Sequence, residues 1–577
     1  MQTLLLRHEV PVNLTWDLSD IYPNADALYQ DVERLEEKTT ALSTRDISLL
    51  EEVLILRDHL ANYAELLLST DHGNEENART VVKIEKTLAK TLPALESTLH
   101  ALGDLPEEEL RRLSEDPARS AFWKKLMKDR PHRLGKEAEE LLAGLDEVLN
   151  NQEKLYGAWK FSDLSFPPLT VEGKDYAFSF PLFENLYEYE EDTTLRRAAF
   201  SHFSTHLRRY EEVAGENFLA MVKRDVALSR ARHYDDVFSY LLRDQDVDRA
   251  TYDAHLDLLA EEMPKVMLPF VKKNQEDYGL PELTYADLKL PPKVNLPAVP
   301  LEEARPLLEK AFAPLGEDVV QIVHDGLTKR WIDFPENEGK STGGFCASPY
   351  GIHSYILTTW HDLVSDLFTL AHELGHAVHF SLADRENSIL THECSLAFVE
   401  SPSTTSELLM TASLMENATE EEKKDLASLS LANTYYHNCV THLLEALFQR
   451  EVYRRAEAGD ALTPKDLSAI FKSCLEDFWG DEVLLDEGAE LTWMRQPHYY
   501  EGLYSYTYSM GLAIGTVLAN RLPKEPELAK TWREILVAGG SDTPSAYAAH
   551  LGLDLKHCDH TKAMIASLHE MVATVLS

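Results

Sequence analysis

The sequence predicts a mainly α protein built as two helical lobes, with a small β-sheet beside a helix that carries the motif H-E-x-x-H. Three observations predict it. Apolar residues recur at three- and four-residue spacing from about residue 24 to 160, and again from about 184, which is the period of amphipathic helices. A short stretch, roughly 331 to 360, reads as strand-rich. A chain of 577 residues also exceeds what one core organises, so a division is expected, with 1–183 as an N-terminal helical lobe and 184–577 as a larger second domain.

Taken in order, the helices up to residue 160 are rich in Leu, Glu and Lys. Phe166-Pro167-Pro168 breaks their pattern, and Tyr176, Phe178 and Phe180 alternate as a strand does. Helix resumes near 184, and Pro291-Pro292, Pro297, Pro300 and Pro306 mark an irregular stretch. After the strand-rich patch, Asp362 stands as an N-cap. Leu363, Leu367, Leu370, Leu374 and Ala377 then form one apolar stripe. Val364, Phe368, Ala371, Val378 and Phe380 widen it almost all round, the pattern of a buried helix. Ser401-Pro402 has the form of another helix start, with Ser as cap and Pro in the first turn. Helix continues until Gly539-Gly540-Ser541.

His372-Glu373-Leu374-Gly375-His376 supplies the H-E-x-x-H. Histidines four residues apart share a helix face one turn apart, so both imidazoles reach one ion. Glu373 can then take a proton from a water activated by that ion. Catalytic zinc uses three protein ligands and leaves the fourth position to water. His379 is excluded as the third, because it lies about 10 Å along the axis from His372. The extended form H-E-x-x-H-x-x-G-x-x-H also fails, since His379 and Leu382 stand where Gly and His belong. The third ligand is therefore expected from a later carboxylate. Glu386, Glu393, Glu400 and Glu407 follow at seven-residue steps. Glu400 closes the apolar run Leu396-Ala397-Phe398-Val399, where a carboxylate without a cationic partner is costly. The competing reading is two core histidines and a Glu400 paired with Lys or Arg.

Downstream, His498-Tyr499-Tyr500-Glu501-Gly502-Leu503-Tyr504-Ser505-Tyr506-Thr507-Tyr508 places five tyrosines in eleven residues. The alternation from Tyr504 to Tyr508 suits a strand, although i and i+4 also share a helix face. Phenolic O–H and imidazole N–H groups suit a tetrahedral oxyanion. An aromatic packing cluster is the equal alternative.

These three segments, with Phe398-Val399-Glu400-Ser401-Pro402-Ser403 as the second, resemble the thimet-oligopeptidase-type zinc metallopeptidases, and within them the bacterial oligoendopeptidase F branch. Trp16-Asp17-Leu18-Ser19-Asp20-Ile21-Tyr22-Pro23, Gly339-Lys340, Gly343-Gly344-Phe345-Cys346 and Ala538-Gly539-Gly540-Ser541 agree in the expected order. The resemblance implies one zinc per chain on His372, His376 and Glu400, with Glu373 as general base. It implies that His498 and a tyrosine, Tyr508 first and Tyr504 second, bind the substrate carbonyl and its oxyanion. It further implies that Ser354-Tyr355-Ile356-Leu357-Thr358 is the edge strand on which an extended peptide pairs, with Tyr355, Gly343 and Gly344 as substrate-binding positions. The lobes would then enclose a deep substrate channel, with 184–577 as the catalytic domain and short unstructured peptides as substrates.

Composition fits that expectation. The 56 basic and 98 acidic residues give a formal charge of −42, which argues against nucleic acid and anionic membranes as partners. Five scattered cysteines, at 346, 394, 439, 474 and 558, point to a reducing compartment and so to the cytoplasm. Met1-Gln2-Thr3-Leu4-Leu5-Leu6-Arg7 is too short in apolar residues for a signal peptide, and no apolar run reaches the length of a membrane span. The rival readings are a zinc carboxypeptidase or dipeptide-releasing enzyme, and a helical scaffold with an inactive site. Oligomeric state is left open. If Glu373 is the base and not a ligand, Glu373→Gln keeps its zinc and its fold while turnover falls by several orders of magnitude. Loss of zinc from that variant, measured by metal analysis, would reverse the assignment.

Overall fold

Each unit of this protein is built from helices whose apolar stripes close on one another, as the computed structural model shows for residues 5–44, 46–341 and 343–577. Residues Met1–Leu4, used above in the reading of the N-terminus, lie outside the described residues. The five short strands are β1 (Leu169–Val171), β2 (Lys174–Tyr176), β3 (Ile332–Asp333), β4 (Phe345–Ala347) and β5 (Tyr355–Leu357). The chain forms two compact units. The first comprises Met1–Gly144, Pro297–Asn417 and Ile514–Leu553; the second comprises Leu145–Leu296, Ala418–Ala513 and Asp554–Ser577. Each is thus assembled from three separate segments, and residue 183 falls inside the second.

In the first unit, helices Ala25–Thr40, Ile47–Ser69 and Glu75–Gly103 pack pairwise. Leu35, Leu50, Val53, Leu60, Ile84 and Leu102 lie between them with no exposed surface. Their core continues into the three-stranded sheet through Tyr355 and Leu357. In the second unit, helix Arg249–Asp277 packs on Asp559–Leu576, and Glu211–Ala231 packs on Pro464–Trp479. No helix among the described residues is long and apolar enough to cross a membrane. All five cysteines are free thiols.

The sheet order is β3-β5-β4, with β3 parallel and β4 antiparallel to β5. This corrects the expected edge strand. Tyr355 is in the central strand, wholly buried, and its hydroxyl donates to the Asp17 carbonyl. Three consecutive apolar residues, Tyr355-Ile356-Leu357, are buried on both faces, which is the pattern of a covered strand rather than an edge. The edges are β3 and β4, and Gly343-Gly344 leads directly into β4.

Four further expectations shift at element boundaries. Tyr176 is in β2, but Phe180 begins a helix, Phe180–Asn185, because Ser179 accepts from the Leu182 N–H and caps it. The motif helix runs Val364–Glu386, with Leu363 at its N-cap. Asp362 lies one residue outside with φ 60°, and its carboxylate accepts from the Trp360 indole. Asp366 instead reaches back to the N–H groups of His361 and Leu363. The next helix begins at Leu396 and runs to Met415, capped by Ser395, so Pro402 is interior and costs one intrahelical bond. Pro306 likewise lies within helix Leu301–Phe312.

One ion cluster holds the sheet's loops. Asp333, with no exposed side-chain surface, pairs with Lys340 at 2.8 Å and with Arg7 at 2.5 Å. The Lys340 ammonium also donates to the carbonyls of Asp333, Pro335 and Thr358. It therefore ties β3 and the end of β5 to the loop that enters β4. Asp333→Ala leaves a buried ammonium unpaired, and chemical denaturation is expected to show a loss of about 3–5 kcal/mol.

Candidate metal centre and active-site residues

The motif helix and helix Leu396–Met415 make the most extensive pairwise packing of any two elements described, and that packing creates the site. Gly375 lies at the crossing. A β-carbon there would meet the Pro402 carbonyl oxygen and Ser403 Cα at 2.7 Å, and Ser406 Oγ at 2.8 Å. Only glycine lets the two backbones come so near. Gly515, on helix Tyr506–Arg521, makes a similar approach to Thr404 and Thr405 on the far side.

This approach brings Glu400 over the motif. Its Oε2 is 3.3 Å from His372 Nε2 and 3.5 Å from His376 Nε2, and the two rings are 5.1 Å apart at 77°. Ser403 donates to the same oxygen at 3.0 Å. Burial would raise the Glu400 carboxyl, but hydrogen bonds from the two imidazoles hold it well below the usual range. His372 is opposed by burial and raised well above its ordinary value by Glu400 and Glu407. Two imidazole nitrogens and one carboxylate oxygen, mutually close, are the donor set of catalytic zinc. His372 keeps 23% of its side-chain surface, so the cluster is reachable from solvent. Among the described residues these groups fit a metal ion.

Around the three ligand positions, two further carboxylates have distinct places. Glu407 Oε2 lies 3.3 Å from His372 Nδ1, the nitrogen turned away from Glu400. That is the orienting carboxylate a metal-binding imidazole commonly has. Sequence reasoning passed over Glu407, although the seven-residue ladder of glutamates contains it; on a helix, a seven-residue step returns Glu400 and Glu407 to one face. Glu373 is buried, and burial raises its carboxyl, partly offset by His372 and His376. A β-carbon on Gly344 would meet Glu373 Oε1 at 3.3 Å. Glu373 therefore sits beside the entrance to the edge strand β4, where the bare backbone of Gly344 makes room for it. His379 has both ring nitrogens buried without a partner, stacks on Phe380 and is pushed down to about 3 by burial. It is a buried core histidine.

The second group of expected residues lies in the other compact unit. His498 is on a short helical turn, Pro497–Glu501, and Tyr508 on the first turns of helix Tyr506–Arg521. Tyr508 Oη is 3.4 Å from His498 Nε2, and Tyr504 and Tyr508 meet edge to face at 5.3 Å. Tyr506 and Tyr508 are thus helical, with Tyr504 just ahead of the helix, and the segment is not a strand. Burial and contacts separate the tyrosines. Tyr499 and Tyr506 are buried, and Tyr506 donates to Gln245. Tyr500 accepts from Asn217. Tyr504 and Tyr508 remain half-buried beside His498.

The chain is similar to known peptidases over most of its length. The sequence profile of peptidase family M3 matches residues 186–567, and a profile described as oligopeptidase F matches 102–166. Oligopeptidase PepF of Bacillus subtilis is 27% identical over 95% of this chain and 85% of its own length. Group B oligopeptidase PepB of Streptococcus agalactiae is 24% identical over 98% and 97%. The crystal structure of oligoendopeptidase-F from Enterococcus faecium superposes with a TM-score of 0.72, covering 95% of this chain and 96% of that one at 20% identity.

The close helix crossing gives a direct test. Gly375→Ala adds one methyl group against backbone, and overpacking of that kind costs about 1–3 kcal/mol. The expected outcome is a lower melting temperature together with weaker zinc retention in a chelator titration, because Glu400 is displaced from both histidines.

Proposed function

The chain belongs to peptidase family M3, and on that premise we propose that it is a zinc-dependent oligoendopeptidase that hydrolyses internal bonds of short, unstructured peptides. The observation that carries the reading is the convergence of His372, His376 and Glu400 on one point, with Glu373 alongside but outside that set. His372, His376 and Glu400 would hold one zinc per chain. When bound, the ion would supply a Lewis acid that polarises the scissile carbonyl and acidifies water.

The chain's own residues do the rest. Glu373 accepts the proton of the attacking water and returns it to the leaving amine. Its burial raises its basicity, which suits a base working near neutral pH. Glu407 keeps the His372 ring in one orientation and one tautomer. The edge strand β4, entered through Gly343-Gly344, offers main-chain groups to an extended peptide, and recognition of backbone suits broad sequence tolerance. His498 and Tyr508, with Tyr504 beside them, are assigned as donors to the carbonyl oxygen as it gains charge. Free thiols throughout and a strongly acidic surface favour a cytoplasmic protein that avoids nucleic acid.

Incubation of the purified enzyme with a mixed peptide library, followed by mass spectrometry, is expected to show pairs of internal fragments that vanish on chelation and return with zinc. Serial loss of one or two C-terminal residues would instead make it an exopeptidase. Donors to an oxyanion act on the transition state, so Tyr508→Phe is expected to lower kcat about 100-fold or more with little change in KM. A near-normal kcat would move the role to Tyr504.

A further inference from the structure

We propose that Glu445 is the positioning residue for His498, fixing which ring nitrogen that histidine presents. The inference rests on the role proposed above for His498. Glu445 lies on helix His442–Ala458 and is 1% exposed. Its Oε2 receives three groups: His442 Nδ1 at 2.9 Å, Ser505 Oγ at 2.9 Å and His498 Nδ1 at 3.4 Å. An ionised carboxylate only accepts hydrogen bonds. Both imidazoles must therefore place a proton on Nδ1, and His498 turns Nε2 toward Tyr508. The second imidazole extends the control. His442 stacks on the Tyr508 ring at 4.1 Å and 13°, and its Nε2 meets His437 Nε2 at 3.1 Å. One buried carboxylate thus orients the histidine directly and braces the tyrosine through a stacked ring.

The energetics support a charged network. A carboxylate this deep is costly unless paired, and its ion-pair partners here are two imidazoles. Burial would raise the Glu445 carboxyl, but His442 and His498 carry it far below the ordinary range. His498 is lowered by burial and raised on balance by Glu445, with Glu501 adding to the rise and Lys160 opposing it. His442, Tyr504 and Tyr508 complete its surroundings. A raised histidine is protonated below its shifted value and loses that proton as pH rises through it. The donor on Nε2 would persist further toward neutral pH with Glu445 than without it.

The test is a double-mutant cycle on the full-length zinc enzyme, read as kcat, KM and pH profile. Glu445→Gln is expected to lower kcat about 10- to 100-fold, leave zinc content at one per chain, and move the alkaline limb of kcat to lower pH. Glu445→Asp, which keeps the charge, should restore part of both. In the His498→Ala background, Glu445→Gln should cost far less, leaving only the part that acts through His442 on Tyr508. An equal cost with and without His498 would overturn the inference while leaving the role of His498 intact. An unchanged kcat in His498→Ala alone would remove that role and the inference with it. A second zinc in the native protein that Glu445→Gln abolishes would also overturn it, since His442, Glu445 and His498 would then be metal ligands.

Discussion

The near contact of two helix backbones at Gly375 is the constraint on which the candidate metal centre depends. A histidine pair one turn apart is a property of one helix, but a third ligand must be carried to it by another. The carboxylate of Glu400 reaches both imidazoles because the motif helix and its neighbour approach until no β-carbon fits between Gly375 and Pro402-Ser403. The same neighbour is held from its far side by Gly515 against Thr404 and Thr405. Close packing at two glycines thus becomes the placement of one carboxylate.

Charge imposes a second discipline. The protein is strongly acidic as a whole, yet its deeply buried carboxylates each have a defined partner or task. Asp333 is paired with Lys340 and Arg7. Glu400 and Glu407 face His372 from its two ring nitrogens. Glu445 faces His442 and His498. Imidazoles as partners leave these groups able to bind metal or exchange protons, which a guanidinium would not. Glu373 differs, since burial leaves it more basic than an ordinary carboxylate. The distinction proposed between ligand and base, invisible in adjacent letters of the motif, rests on a difference in what each side chain meets.

The sheet is small because its task is local. Two or three residues per strand suffice when β5 is packed into the helical core and Lys340 ties the loop ahead of β4. This arrangement leaves β4 at the edge beside Glu373. An edge position for Tyr355 fails for the same reason: an unbroken apolar run signals burial on both faces, as in the central strand β5.

The sequence by itself determined the periodic helices and the paired histidines, and it pointed to Glu400 rather than His379 as their neighbour, because helix period and the cost of buried charge act over a few residues. Glu407 and Glu445 were present as letters but not legible as partners, since each acts on a histidine 35 or 53 residues away. Helix starts at Leu396 and Val364 were misplaced by one to six residues because competing caps differ by little energy until packing selects one. Only the tertiary structure decided strand order, which of the five tyrosines are buried, and the three-segment make-up of each unit. Those depend on which surfaces meet across long separations in the chain, and no local pattern of residues encodes that.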